Sequence, residues 1–207
     1  MEFDLIIRLP AIAQTIAVAI EHGREWGQRF LNDSSWRGNK KKMAKYAIDE
    51  SARWTMWKGI MGVTGIPSQV AVTIYSQIKL AATLFTIYDI DTTRHSTQAL
   101  VLAAAAGVSV PELANYLPTD TAQPGIKKTL MSIPGKTFAE IHKNLGVKLL
   151  ASIGNKCLVN TSQITPDSAA VMLSQQSSKT ITSQVSGVSM DACGHSVINF
   201  INTWKQI

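Results

Sequence analysis

Apolar residues at Leu5, Leu9, Ile12, Ile16 and Ile20 recur at the spacing of one helix face, so residues 4–31 read as one helix or two. A bend is expected at Pro10, because proline lacks the donor for its own turn. Asp33-Ser34-Ser35 then breaks the pattern. From Lys40 to Met61 a second helix is expected, with Trp54, Trp57 and Met61 on one face and Lys41, Lys45 and Asp49 on another. The run from Gly62 to Pro67 interrupts it, and Ser68 is placed to cap the next helix.

The stretch from Ser68 to Tyr88 is long enough, at about 1.5 Å per residue, to match a bilayer core of about 30 Å. Its side chains argue otherwise. Gln69, Thr73, Ser76, Gln77, Lys79 and Thr83 cover much of its surface, and a central lysine alone costs roughly 2.5 to 3.5 kcal/mol on insertion scales. This stretch is therefore expected as the buried helix of a bundle.

Asp91-Thr92-Thr93 reads as the start of a helix that runs through Ala103 to Ala106 and stops at Gly107, which can take a left-handed backbone. Ser109-Val110-Pro111-Glu112 is a capping box with proline in the first turn, opening a short helix to Leu117. Proline and glycine mark a flexible link near 118–135. Lys136 to Ile153 is helical again, with Phe138, Ile141, Leu145 and Leu149 on one stripe. The Ser/Thr/Gln-rich region 160–186 suits either a polar linker or a helix packed through small side chains, and Thr165-Pro166-Asp167, a cap with proline in the first turn, favours a helix beginning there; Met190, Cys193, Val197, Ile201 and Trp204 form a last stripe. No alternating strand pattern bounded by hairpin turns occurs, and there is no internal repeat. The expected class is all-α: a multi-helix bundle around a long uncharged central helix.

Composition sharpens this picture through the placement of charge. The chain of 207 residues has 20 basic and 14 acidic side chains, a net charge of +6, and only 16% charged residues against 45% hydrophobic. A disordered chain would combine few apolar residues with high charge, so a folded protein is expected. Arg37, Lys40, Lys41, Lys42, Lys45, Arg53 and Lys58, opposed by Asp49 and Glu50, supply five of the six excess positive charges within one short segment. Residues 59–111 and 157–207 are nearly free of charge by comparison. Cys157 and Cys193 fit neither a disulfide scaffold nor a zinc site. The acidic start Met1-Glu2-Phe3-Asp4 lacks the basic flank of a cleaved export signal.

Candidate chemistry is sparse. Asp91 and His95 could orient a base or a metal, but an aspartate at a helix start is ordinarily a cap. Asp191, Cys193 and His195 sit at i, i+2 spacings that diverge on a helix. Gly59, Gly62 and Gly65 follow no strand and precede no Gly-Lys-Ser/Thr, so they make no phosphate loop. No catalytic, cofactor or metal residues are assigned. Trp26, Trp36, Trp54 and Trp57 accompany the basic segment. That pairing suits a solvated face over an aromatic stripe or, as the functional reading, contact with an anionic membrane through Trp36, Arg37, Lys40, Lys41, Lys42 and Lys45. No nucleic-acid motif is present.

The run Gly62-x-x-Gly65-Ile66-Pro67, the uncharged helix with Gln77 and Lys79, and the closing Tyr88-Asp89-Ile90-Asp91 resemble the EcsC family of bacterial proteins over residues 40–207. The resemblance implies residues 1–35 as an N-terminal helical extension and 36–207 as an EcsC-like helical domain with the flexible link near 118–135. Ser68 stands where that family usually has glycine, and Asp89 where it has the glycine after tyrosine. The resemblance implies no catalytic residues. It implies a bacterial protein working near membrane processes, and carries over Gly65, Pro67, Tyr88 and Asp91 as motif positions that build the entry bend and exit cap of the central helix. The resulting expectation is a non-enzymatic protein, without cofactor, peripheral to the cytoplasmic side of the bacterial membrane. An anionic membrane surface is the expected partner. The alternatives are a membrane-inserting toxin or pore former and a cytosolic interaction or immunity-type protein with a protein partner; nothing in the sequence fixes an oligomeric state.

Overall fold

A computed structural model of the chain describes residues 2–61, 69–113 and 179–206, with side chains described for 14–55, 72–113 and 190–206. The elements in chain order are α1 (Glu2–Asn32), a 3-10 turn (Ser34–Trp36), α2 (Lys40–Met61), α3 (Gln69–Ile87), α4 (His95–Ala105), α5 (Val110–Leu113) and α6 (Lys179–Gln206). Among the described residues there is no strand, and the helices pack on one another as an all-α bundle. No described helix is long and apolar enough to cross a membrane. The expected link near 118–135, the helix over 136–153, the helix start at Thr165 and the motif positions Gly65 and Pro67 lie outside the described residues.

α3 is the centre of the bundle, packed against α1, α2, α4 and α6. Ile78, Leu80, Ala81, Ala82, Leu84, Phe85 and Ile87 are fully buried, and Lys79 is the helix's one charged side chain. Its buried polar groups are largely satisfied locally: Thr83 Oγ1 donates to the carbonyls of Lys79 (2.8 Å) and Gly23 (3.0 Å), and Thr86 Oγ1 to that of Ala82 (2.9 Å). Hydroxyls that bond back to the preceding turn can enter a helix core without an unmet donor.

α1 is a single helix of 31 residues that continues through Pro10, and it lies along α3. Gly23 and Gly27 make the close approach. A Cβ at Gly23 would lie 2.7 Å from Ala82 Cβ and strike the Lys79 carbonyl, and one at Gly27 would lie 2.6 Å from Thr86 Cβ. On the far side of the bundle Gly194 of α6 meets Ile48 of α2 in the same way, with a built Cβ 2.5 Å from Ile48 Cγ1. Met190, Cys193, Val197, Ile201 and Trp204, the last apolar stripe of the sequence, are all buried. Phe200 of α6 stacks on Phe85 at 6.1 Å between centroids.

The helix ends follow from particular side chains. Asp33 accepts from Ser35 N at 2.8 Å and turns the chain out of α1; Asn39 accepts from Lys42 N at 3.0 Å and caps α2. α3 ends in a Schellman turn, with Asp89 N on Thr86 O (3.0 Å), Ile90 N on Phe85 O (2.9 Å) and Asp89 left-handed at φ 61°. α4 ends likewise at Gly107, φ 72°, with Val108 N on Ala103 O at 2.9 Å, as its glycine led one to expect. The Ser109/Glu112 capping box is formed reciprocally, Ser109 N to Glu112 Oε2 at 3.4 Å and Glu112 N to Ser109 Oγ at 3.3 Å.

One expected start is displaced. Asp91 was the expected cap of the next helix, yet α4 begins at His95, after an Arg94 cap residue with no side-chain bond. Asp91 Oδ1 is taken by Thr93, accepting from its N (3.0 Å) and Oγ1 (2.6 Å). The carboxylate closes a tight turn on Thr93 instead, and the helix starts four residues after it.

Candidate functional site

The basic segment forms the corner where α1 turns into α2. Phe30 at the end of α1 is buried, and around it Trp26 (5.5 Å, tilted), Trp36 (5.4 Å, edge-on) and Tyr46 (5.9 Å, edge-on) pack as a contiguous aromatic cluster. Trp36 is half-buried and also meets Tyr46 edge-on at 5.4 Å, so it buttresses the corner while keeping one margin outward. Lys42 Nζ lies 5.9 Å from the Trp36 ring, within cation–π range.

The basic side chains divide by partner. Lys40 is paired with Asp89 at the end of α3. Arg37, Lys41, Lys42 and Lys45 are exposed. Beside them Leu31 (39%) and Tyr46 (43%) are two of the large apolar side chains that the described surface exposes. A cationic cluster with apolar side chains among it is the composition that the headgroup zone of an anionic bilayer favours.

A second feature was not anticipated from the sequence: a cavity of about 430 Å³ between α1, α2 and α3. Trp26 of α1 and Trp54 of α2 both lie beside Lys79 of α3, whose Nζ is 5.0 Å from one ring and 5.6 Å from the other. Burial, with Arg29 adding like charge, holds the Lys79 amine below the usual lysine range. Ser76, one turn earlier on α3, lines the same cavity; it is 4% exposed and its Oγ has no hydrogen-bond partner among the described residues. His22 Nδ1 and Tyr75 OH share a hydrogen bond of 2.6 Å at its edge, and burial raises the Tyr75 phenol. Trp54, read as part of a basic-aromatic face, thus belongs to this cavity wall and also packs on Tyr75 at 6.2 Å.

The motif residues Tyr88 and Asp91 lie in the α3–α4 turn. Lys205 of α6 donates to Tyr88 O at 2.8 Å with its Nζ 5.4 Å from the Tyr88 ring, and Asp91 faces Arg94 at 3.4 Å. Thr93's two donors, chiefly its hydroxyl, hold the Asp91 carboxyl below the usual range. His95 is exposed, Asp191 meets His195 at 3.7 Å on an exposed face, and Cys193 points the other way into the core. Among the described residues no group of three His, Cys, Asp or Glu side chains converges as a metal site. No family model, curated protein or solved structure matches the chain.

Proposed function

We propose that the protein is a non-enzymatic helical protein that attaches peripherally to anionic membrane surfaces through the α1–α2 corner. The observation that carries this reading is the exposure of Arg37, Lys41, Lys42 and Lys45 together with Leu31 and Tyr46. Each basic residue near such a surface adds about 1 kcal/mol, and the apolar side chains add burial at the acyl boundary. The resemblance to the EcsC family points the same way.

Flotation with vesicles of phosphatidylcholine alone, or mixed with phosphatidylserine, tests it. Binding is expected to the mixed vesicles only and to be released by about 0.5 M salt, because the attraction is screened. Changing Lys41, Lys42 and Lys45 together to Gln should remove roughly 3 kcal/mol, more than a hundredfold in partitioning. Lys40 is left in place because it holds Asp89. Binding that ignores lipid charge, or survives the triple change, would sink the reading.

A further inference from the structure

We propose that the cavity between α1, α2 and α3 binds a small aromatic carboxylate, its carboxylate held by Lys79 and Ser76 and its ring against the indoles of Trp26 and Trp54. The polar groups are arranged as a site still short of a partner. Lys79 Nζ has three donors, and the flanking indole faces answer its charge without accepting its hydrogen bonds in the way an oxygen would. Among the described residues it makes no ion pair, although Glu25 and Glu50 line the same cavity; Glu50 is held by Arg53 at 2.7 Å. The Ser76 hydroxyl is buried without a partner in the cavity wall, a standing cost that is removed when rotation about its Cα–Cβ bond turns Oγ toward an acceptor in the cavity.

Charge and size narrow the class. Arg29 and Lys79 repel one another, and one negative charge between them relieves that repulsion. A phosphate dianion would place its second charge near Glu25 and Glu50, so a carboxylate fits better. The volume of about 430 Å³ is that of a small-ligand pocket, and the two tryptophans in its wall suit a flat apolar body.

Titration calorimetry on the full chain, with benzoate, benzamide and inorganic phosphate as probes, tests the assignment, and tryptophan fluorescence gives a second readout. Benzoate should bind saturably, benzamide at least about tenfold more weakly, and phosphate should not displace benzoate. Lys79→Met should weaken benzoate about tenfold or more. Ser76→Ala should weaken it several-fold while leaving the thermal midpoint unchanged or raised, because the hydroxyl has no partner in the free protein; this variant decides the matter should Lys79→Met not fold. Binding should persist when Lys41, Lys42 and Lys45 are changed to Gln, which separates this site from the membrane corner. The proposal is overturned by no saturable response to benzoate, by equal binding of benzamide, by displacement with phosphate, or by unchanged affinity in folded Lys79→Met or in Ser76→Ala.

Discussion

Lys40, the first residue of α2, is paired with Asp89, whose own backbone is left-handed at φ 61°. The two facts oppose each other energetically. A non-glycine residue in that conformation costs roughly 1 to 2 kcal/mol, somewhat less for aspartate. The ion pair returns little, because Asp89 is 62% exposed and exposed pairs are worth about 0.2 to 1 kcal/mol. Asp89→Gly is therefore expected to raise stability in urea unfolding by about 0.5 to 1 kcal/mol, and Asp89→Ala, which keeps the strain and loses the pair, to lower it by about 1 kcal/mol. A loss of stability in both variants, glycine included, would mean that the Lys40 link outweighs the backbone strain of this turn.

The α1–α3 crossing depends on the absence of side chains at Gly23 and Gly27. Alanine at either gains about 1 kcal/mol of helix propensity but meets Ala82 and the Lys79 carbonyl, or Thr86, inside van der Waals distance. Because backbone lies on the far side, repacking cannot absorb the clash. Gly23→Ala is expected to cost about 2 kcal/mol net and to weaken the Thr83 Oγ1 bond to Gly23 O. A thermal midpoint at or above the wild type's would show that α1 can be lifted from α3 cheaply.

Lys205 clasps the other side of the same turn, donating to Tyr88 O at the C-terminal end of α3, where free carbonyls and the helix dipole both favour a cation. Lys205→Met keeps an aliphatic stem of similar length and removes the charge, and with it both the bond to Tyr88 O and the cation over the Tyr88 ring. A loss of about 0.5 to 1 kcal/mol is expected, shrinking as salt is raised. A salt-independent loss in denaturant titrations would point to packing of the stem instead.

The parts of this fold that could be read from the sequence are those in which one residue decides one local event. Gly107 stops α4 because only its backbone turns left without cost, and the Ser109/Glu112 box forms because its two partners are three residues apart. The α2 limits, Lys40–Met61, and the buried stripe from Met190 to Trp204 follow from an uninterrupted helical period. What the sequence concealed was relational. Gly23 and Gly27 look bland until the facing helix is known, and the cavity joins Trp26, Trp54 and Lys79 from three helices. The misplaced start at Asp91 arose from competition: Thr93 takes the carboxylate that a helix would have used. Similarly, the basic run gave no sign that Lys40 reaches Asp89 while Lys41, Lys42 and Lys45 stay exposed.

The half-buried Lys79 gives stability a signature at alkaline pH. Around it stand Glu25, Arg29 and His22 of α1 and Glu50 of α2, and burial followed by Arg29 repulsion lowers its folded pKa. The unfolded chain, with an ordinary lysine pKa of about 10.4, therefore binds more protons in the window between the lowered folded value and the unfolded one. Stability must rise with pH across that window, since the cost of burying an ammonium is relieved as it deprotonates. Below the window both states are protonated and the full cost remains. Other lysines and tyrosines titrate in the same range, so the term is isolated by subtracting the urea-unfolding curve of Lys79→Met, taken from about pH 7 to 10.5, from that of the wild type. The wild type should gain on the variant as pH rises. Parallel curves would show that water or the two indoles compensate the charge fully, and that Lys79 is buried at no electrostatic cost.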